Sequence, residues 1–238
     1  MMLVSILLAT LSGGVLSVLL AGLLSLAALA RLAPKLISFA VGVLLAATFL
    51  DLLPDAAQSL PVSRVGATVL IGLALFFLLE KFALWRHDHG GHGHPTVAFI
   101  VLGDGLHNFV DGLLVAAAFL QDPALGLATA MAVVAHEIPQ EIGDFMVLLA
   151  CGVSKTRAMW LNVLSGAAMM AGGVLGYFAF RGFDAAIPYM LALAAASFLY
   201  IATADLVPIL QRDRQATDFV VQFSLLAGGA GVVVLGHG

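Results

Sequence analysis

Residues 97–120 read VAFIVLGDGLHNFVDGLLVAAAFL, and this stretch decides the fold. At 1.5 Å per residue the run is long enough to cross a hydrocarbon core of ~30 Å as a helix. Its polar residues are not scattered. At 3.6 residues per turn Asp104, His107, Asn108 and Asp111 fall within roughly 100° of arc. The result is one polar stripe on an otherwise apolar cylinder. A helix of that kind presents lipid-compatible surface on one side and needs a protein or wet interior on the other.

The rest of the chain has the same character. Hydrophobic residues make up 62% of the 238 positions and charged ones 10%, against about 25% charged in an ordinary soluble domain. The mean hydropathy is +1.09. A soluble domain of this composition has too little polar surface to cover itself, so the solvent is a lipid bilayer. The net charge of −4 comes without any basic stripe, which excludes a nucleic-acid partner. The single cysteine, Cys151, excludes an intramolecular disulfide and a cysteine-based zinc cluster. The first thirty residues carry no basic segment ahead of Leu3 and are read as a first span, not a removed signal.

Hydropathy predicts an all-α integral membrane protein, one polytopic domain over residues 1–238. Its eight transmembrane helices lie near 3–30, 36–58, 65–85, 97–120, 124–152, 158–180, 185–210 and 217–236. The joints between them are short, including Arg31–Lys35, Gln121–Pro123 and Gln211–Ala216. With the N-terminus outside, Arg31, Lys35, Lys81, Arg86, Lys155, Arg157, Arg212 and Arg214 face the cytoplasm, and only Arg64 and Arg181 face out. That bias follows the positive-inside rule and places both termini outside, or periplasmic in a bacterial inner (plasma) membrane. Asp51-Leu52-Leu53-Pro54 closes span 2, and Asp205-Leu206-Val207-Pro208 closes span 7. The same phrase on opposite membrane faces points to an inverted repeat, spans 1–3 against spans 6–8, around central spans 4 and 5.

Span 5 carries a second stripe. His136, Glu137, Gln140, Glu141 and Asp144 cover roughly 140° of arc, with Pro139 on the other side. Each charged side chain at the bilayer centre costs on the order of 3 kcal/mol. Spans 4 and 5 together hold five carboxylates and no Lys or Arg, so a cation, water or shared protons must compensate them. Imidazole nitrogen with carboxylate oxygen suits zinc, and also iron or manganese; the lack of thiolate argues against copper(I). Pro139 has no N–H, so the Ala135 carbonyl loses its helical partner beside His136 and is tolerable only next to protein or a wet path. For one histidine alone, a kinked packing helix with a satisfied core histidine would be the better reading. Two matching stripes argue against it.

The phrases His107-Asn108-x-x-Asp111-Gly112 and His136-Glu137-Ile138-Pro139-Gln140-Glu141-Ile142-Gly143-Asp144-Phe145 resemble the signature of the ZIP (Zrt/Irt-like) family of divalent-metal transporters. The eight spans, the outside termini and a His-rich loop after span 3 are similar to that family as well. The resemblance implies transport of Zn2+, with Fe2+, Mn2+ or Cd2+ as further cargo, toward the cytoplasm and by a homodimer. It implies a primary metal site from His107, Asp111, His136 and Gln140, with Glu137 approaching it. A second, adjacent site would use Asn108 and Glu137 and share Asp111. Some members complete that site with a glutamate in a Ser-Gly-x-x-Glu-Pro phrase. Here the phrase is Ser165-Gly166-Ala167-Ala168-Met169-Met170, and the carboxylate is absent. Glu141 is also a metal-site candidate, as in another branch of the family.

Residues 86–95 form a His-rich cytoplasmic loop in which His87, His89, His92 and His94 are expected to bind metal weakly. Asp51 and Asp205 are either relay ligands at the two mouths or solvated helix caps. Ser165, off both stripes, is expected to be a neutral position. The rival function is a membrane-embedded zinc hydrolase, which wants His-Glu-x-x-His; here the fifth position is Gln140. A metal sensor or a purely structural membrane protein is the third reading.

Overall fold

The computed structural model describes residues 1–23, 26–88, 97–211 and 216–236. Every regular element among them is helical. Helix α1 (Met2–Leu11) continues through a π-helical segment, Ser12–Leu16, into α2 (Ser17–Leu23). Helix α3 (Leu26–Ala46) passes through a second π segment, Ala47–Leu52, into α4 (Leu53–Ser59). There follow α5 (Val62–Asp88), α6 (Val97–Gln121), α7 (Pro123–Ala150) and α8 (Lys155–Phe180). After a 3₁₀ turn at Asp184–Ala186, α9 (Ile187–Tyr200) enters a third π segment, Ile201–Leu206, then α10 (Val207–Gln211); α11 (Ala216–Gly236) closes the fold.

Among the described residues six stretches are long and apolar enough to cross a membrane: Met2–Leu20, Pro34–Ser59, Ile100–Gln121, Lys155–Phe180, Asp184–Gln211 and Phe219–Gly236. The other two expected spans coincide with α5 and α7. In α5 the apolar part is the shorter Val62–Leu78. In α7, 28 residues long, His136, Glu137, Gln140, Glu141 and Asp144 dilute the hydropathy. Large apolar side chains such as Leu70, Trp160, Phe178, Phe219 and Phe223 stand exposed on the outer faces, as they do when lipid is the solvent.

One expected joint is not a loop. Helix α3 runs straight through Arg31–Lys35 with Pro34 inside it. Ala, Leu, Arg and Lys are strong helix formers, and their summed preference over this stretch outweighs the single backbone bond lost at Pro34. The turn between α6 and α7 is tight. Asp122 caps α7, accepting from the backbone N–H of Ala124 at 2.8 Å and of Leu125 at 3.1 Å, with Pro123 at the first helical position. Of the histidine tract, His87 falls in the last turn of α5, and His89, His92 and His94 lie outside the described residues. Arg212 and Arg214 also lie outside them.

Helices α6 and α7 occupy the centre. Helix α6 packs against α8, α7, α9 and α1, and α7 against α3, α2 and the first π segment. The α6–α8 contact is the most extensive among the described residues, and glycine makes it possible. A methyl group on Gly112 would overlap the Met169 carbonyl, and one on Gly172 would overlap that of Phe109. Helices α3 and α11 meet the same way, Gly42 against Leu226 and Gly229 against Phe39. Without a hydrophobic force between helices in lipid, such close backbone approach supplies the dispersion that holds them together. One buried apolar cluster, with Leu44, Leu52, Leu114, Leu191 and Phe198 among its members, runs through the bundle.

Candidate metal centre

The two polar stripes face each other. His107 and Asp111, one turn apart on α6, meet His136 and Glu137 on α7, and one ligand atom from each of the four lies within 4.8 Å of the others. The cross distances are 3.0 Å from His136 Nε2 to Asp111 Oδ2 and 3.6 Å from His136 Nε2 to Glu137 Oε1. His107 Nε2 lies 3.4 Å from Glu137 Oε1 and 3.8 Å from Asp111 Oδ2. Zinc holds nitrogen and oxygen ligands at about 2.1 Å, and the edge of a tetrahedron of that radius is about 3.4 Å. The four distances bracket that value. Asp111, His136 and Glu137 are fully buried and His107 is 21% exposed.

The polar atoms of this cluster have no other occupation. His107 Nε2, His136 Nε2, both oxygens of Asp111 and both of Glu137 are buried without a hydrogen-bond partner. Buried polar groups in folded proteins are almost always satisfied, and orphans call for a water or an ion. Here two nitrogens and two carboxylate oxygens converge, which is a cation's donor set. The histidine tautomer agrees. His136 Nδ1–H donates to the Ala132 carbonyl at 3.0 Å, so in the neutral ring that can bind a metal the lone pair is on Nε2, facing Asp111. A second acceptor holding the far ring nitrogen is the usual way a protein aims a metal-binding imidazole. The His136 ring is wedged edge-on between His107, at 5.6 Å between centroids, and Phe198 of α9, at 5.9 Å.

The remaining predicted residues are placed as follows. Gln140 is half-buried one turn beyond His136 on α7. Asn108 and Glu141 are fully buried, and Glu141 is not among the four residues whose ligand atoms converge. Asn108 Nδ2 donates to Asp104 Oδ1 at 2.9 Å and to the Asp104 carbonyl at 3.2 Å. Met169, at the position where a glutamate would complete an adjacent second site, is an entirely buried core side chain. Asp51 is 2% exposed within the second π segment, so it is no solvated cap; it lines a cavity of about 430 Å³ with Asp55, Gln58, Gln121 and Asp122. Asp205 is exposed.

Three contacts were not legible along the chain. Phe198 backs His136 from a helix more than sixty residues away. The Asn162 amide of α8 reaches the Glu141 backbone carbonyl at 3.5 Å. Ser165 of α8 donates its hydroxyl to Asp104 Oδ2 in a short bond. This corrects the expectation of neutrality at Ser165. The position lies off both stripes, yet the glycine-mediated approach of α8 brings it onto the first one.

A family profile described as ZIP zinc transporter matches residues 85–236, which include both stripes. Zinc transporter ZIP13 of Pongo abelii is 33% identical over 216 residues, covering 84% of this chain and 66% of that protein. Zinc transporter foi of Drosophila melanogaster is 37% identical over 137 residues, 57% of this chain and 19% of that protein. Metal cation symporter ZIP14 of Mus musculus is 39% identical over 150 residues, 59% of this chain and 30% of that protein. The chain thus spans between 19% and 66% of the length of these relatives. Matched over more than half its residues by that profile, this multi-pass helical chain belongs to the ZIP zinc-transporter family, whose members are transporters and not enzymes.

Proposed function

We propose that the chain carries divalent transition-metal ions across a membrane toward the cytoplasm, with zinc as the principal cargo and iron, manganese and cadmium as others. One observation carries this reading: two imidazole nitrogens and two carboxylates, orphaned and buried, sit at tetrahedral spacing between two membrane-length helices. His107, Asp111, His136 and Glu137 bind the ion first, and Gln140, one turn from His136, joins as a neutral ligand. An ion there removes the desolvation cost of the carboxylates, and lipid-facing apolar walls keep other charges away. The relatives' names, zinc transporter and metal cation symporter, support the same cargo class.

The path crosses eight spans, with both termini outside and the 86–95 loop in the cytoplasm, in an inner (plasma) membrane and as a homodimer. An inverted repeat relates spans 1–3 to spans 6–8. Its support is that both Asp-Leu-x-Pro phrases follow the same backbone departure: π segments Ala47–Leu52 and Ile201–Leu206 each contain the Asp, and Pro54 and Pro208 each open a short helix. π-helical segments occur mostly at functional sites. The zinc-hydrolase alternative has no support in the family, and Gln140 in place of a second histidine one turn from His136 also speaks against it.

Zinc-65 uptake into proteoliposomes is the test. Wild-type chain and Thr68→Val, half-buried on α5, should accumulate zinc, and His107→Ala should not, at matched reconstitution. Normal uptake by His107→Ala together with Asp111→Ala would overturn the assignment.

A further inference from the structure

Buried hydroxyls on the helices of this chain return to their own backbone. Thr10 donates to the Ile6 carbonyl, Ser38 to that of Pro34 and Thr48 to that of Leu44, each at 2.8 Å. A helical Ser or Thr turned inward commonly takes this bond one turn back. Thr129 on α7 does not. It is 1% exposed, and its Oγ1 is the one buried hydroxyl without a hydrogen-bond partner among the described residues. Leaving a hydroxyl unpaired in a dry interior is costly, so such an orphan points to water or to a functional contact.

Its place in the fold is specific. Seven residues make two helical turns less about 20°, so Thr129 stands on the same line of α7 as His136, about 10 Å along the axis toward Pro123. Ala128 beside it and Leu125 one turn away line the cavity of about 430 Å³ that Asp51, Asp55 and Asp122 share. Between that cavity and the histidine centre the packing is apolar. Ala132 and Val133 of α7 are buried there. So are Leu114, Val115 and Ala118 of α6, brought level by the tight turn that sets Phe119 against Gly126. Thr129 puts one hydroxyl into this layer, and that hydroxyl is not spent on its own helix.

We infer that Thr129 is the wetting point of the layer between the cavity and the histidine centre, and that it sets the rate at which hydrated cargo crosses. A purely apolar constriction closes by expelling water, and an ion cannot pass it with its shell intact. A hydroxyl released from the backbone accepts from one water and donates to another. It therefore holds water in the layer while the ion passes. The contact is made in passage and not at rest, so it lowers a barrier without changing the affinity of the centre two turns away.

The inference rests on the transport reading, and its test keeps the two apart. Thr129→Val preserves the shape and removes the hydroxyl; Thr129→Ser keeps the hydroxyl. Zinc-65 uptake into proteoliposomes is measured at saturating zinc, beside equilibrium zinc binding and thermal unfolding of the solubilised full-length chain. Thr129→Val should lower the maximal uptake rate about 10–100-fold, the worth of one hydrogen bond to a charged group. Its zinc affinity should stay within about 3-fold of wild type, and its metal-free unfolding midpoint should be unchanged or raised, because a buried orphan has been removed. Thr129→Ser should restore uptake to within a few-fold of wild type. Wild-type uptake by Thr129→Val overturns the inference, as does a loss of zinc affinity that matches the loss of uptake. A lowered midpoint in Thr129→Val, or no rescue by Thr129→Ser, gives the hydroxyl a structural role and overturns it too. Failure of the transport reading shows separately, as wild-type chain that takes up no zinc.

Discussion

Asp111→Ala removes the carboxylate that His136 and His107 share, at 3.0 Å and 3.8 Å. Four-ligand zinc sites bind with about 10–16 kcal/mol, so one ligand of four is worth about 2.5–4 kcal/mol. At 1.4 kcal/mol per decade this weakens zinc binding by about two to three orders of magnitude. The linked stability is measurable. With free zinc at about 100 times the wild-type Kd, binding stabilises the wild-type fold by about 2.7 kcal/mol. At the same zinc concentration a variant binding about 300-fold more weakly gains only about 0.2 kcal/mol. Thermal unfolding of the solubilised chain with and without zinc reads this directly. The shift is taken within each variant, so any change in the metal-free fold cancels. Zinc should raise the wild-type midpoint clearly and leave that of Asp111→Ala nearly unmoved, with uptake at sub-saturating zinc falling in parallel. An equal zinc-induced rise in both proteins would refute the role of Asp111 and the tetrahedral argument built on it.

Zinc binding should weaken as pH falls through the range where free imidazole titrates, near ~6.5, because protons and zinc compete for the same Nε2 lone pairs; equilibrium binding at pH 7.5 and 5.5 checks the sign, and binding independent of pH would contradict histidine ligation. Gly112→Val should cost on the order of 1–3 kcal/mol or prevent folding, because its side chain would overlap the Met169 carbonyl where α6 crosses α8; membrane expression and thermal unfolding report it. A cysteine placed at Gly238 should react with impermeant reagents from outside and one at Gly91 only from inside, and labelling of both from one face would contradict the eight-span arrangement. Replacing His87, His89, His92 and His94 with Ser should leave uptake within a few-fold of wild type, since hydropathy alone puts the tract between the expected spans.

The metal cluster was legible because hydrocarbon leaves so few places for charge. Once 97–120 reads as a span, the arc of Asp104, His107, Asn108 and Asp111 must face inward, and the only other stripe with compensating chemistry is the one around His136. Periodicity places residues on a face, but it does not divide that face. It put Asn108 and Glu141 with the other ligands, and it did not show that the Asn108 amide is committed to Asp104. The Ser165–Asp104 bond spans 61 positions and depends on how α8 is rotated against α6, which is set by backbone approach at Gly112 and Gly172. No periodic signal carries that rotation. The helical passage through Arg31–Lys35 was missed for the opposite reason: charges and a proline resemble a joint, while the flanking Ala and Leu residues sustain the helix.

The two histidines of the centre are held very differently, and the difference suits an ion in transit. His136 is fully buried, anchored through Nδ1 to the Ala132 carbonyl and braced by Phe198. His107 is the exposed member, and its Nε2 stands at the longer distances, 3.4 Å and 3.8 Å. In a structural zinc site every ligand is locked, because stability is the purpose and the ion never leaves. A conducting site needs binding strong enough to strip water from the ion and weak enough to let it go. One locked imidazole and one loosely held imidazole across a shared carboxylate meet both demands. In the proposed transport cycle His136 and Asp111 would keep the geometry ready while the site is empty, and release would begin by losing His107, the more exposed imidazole.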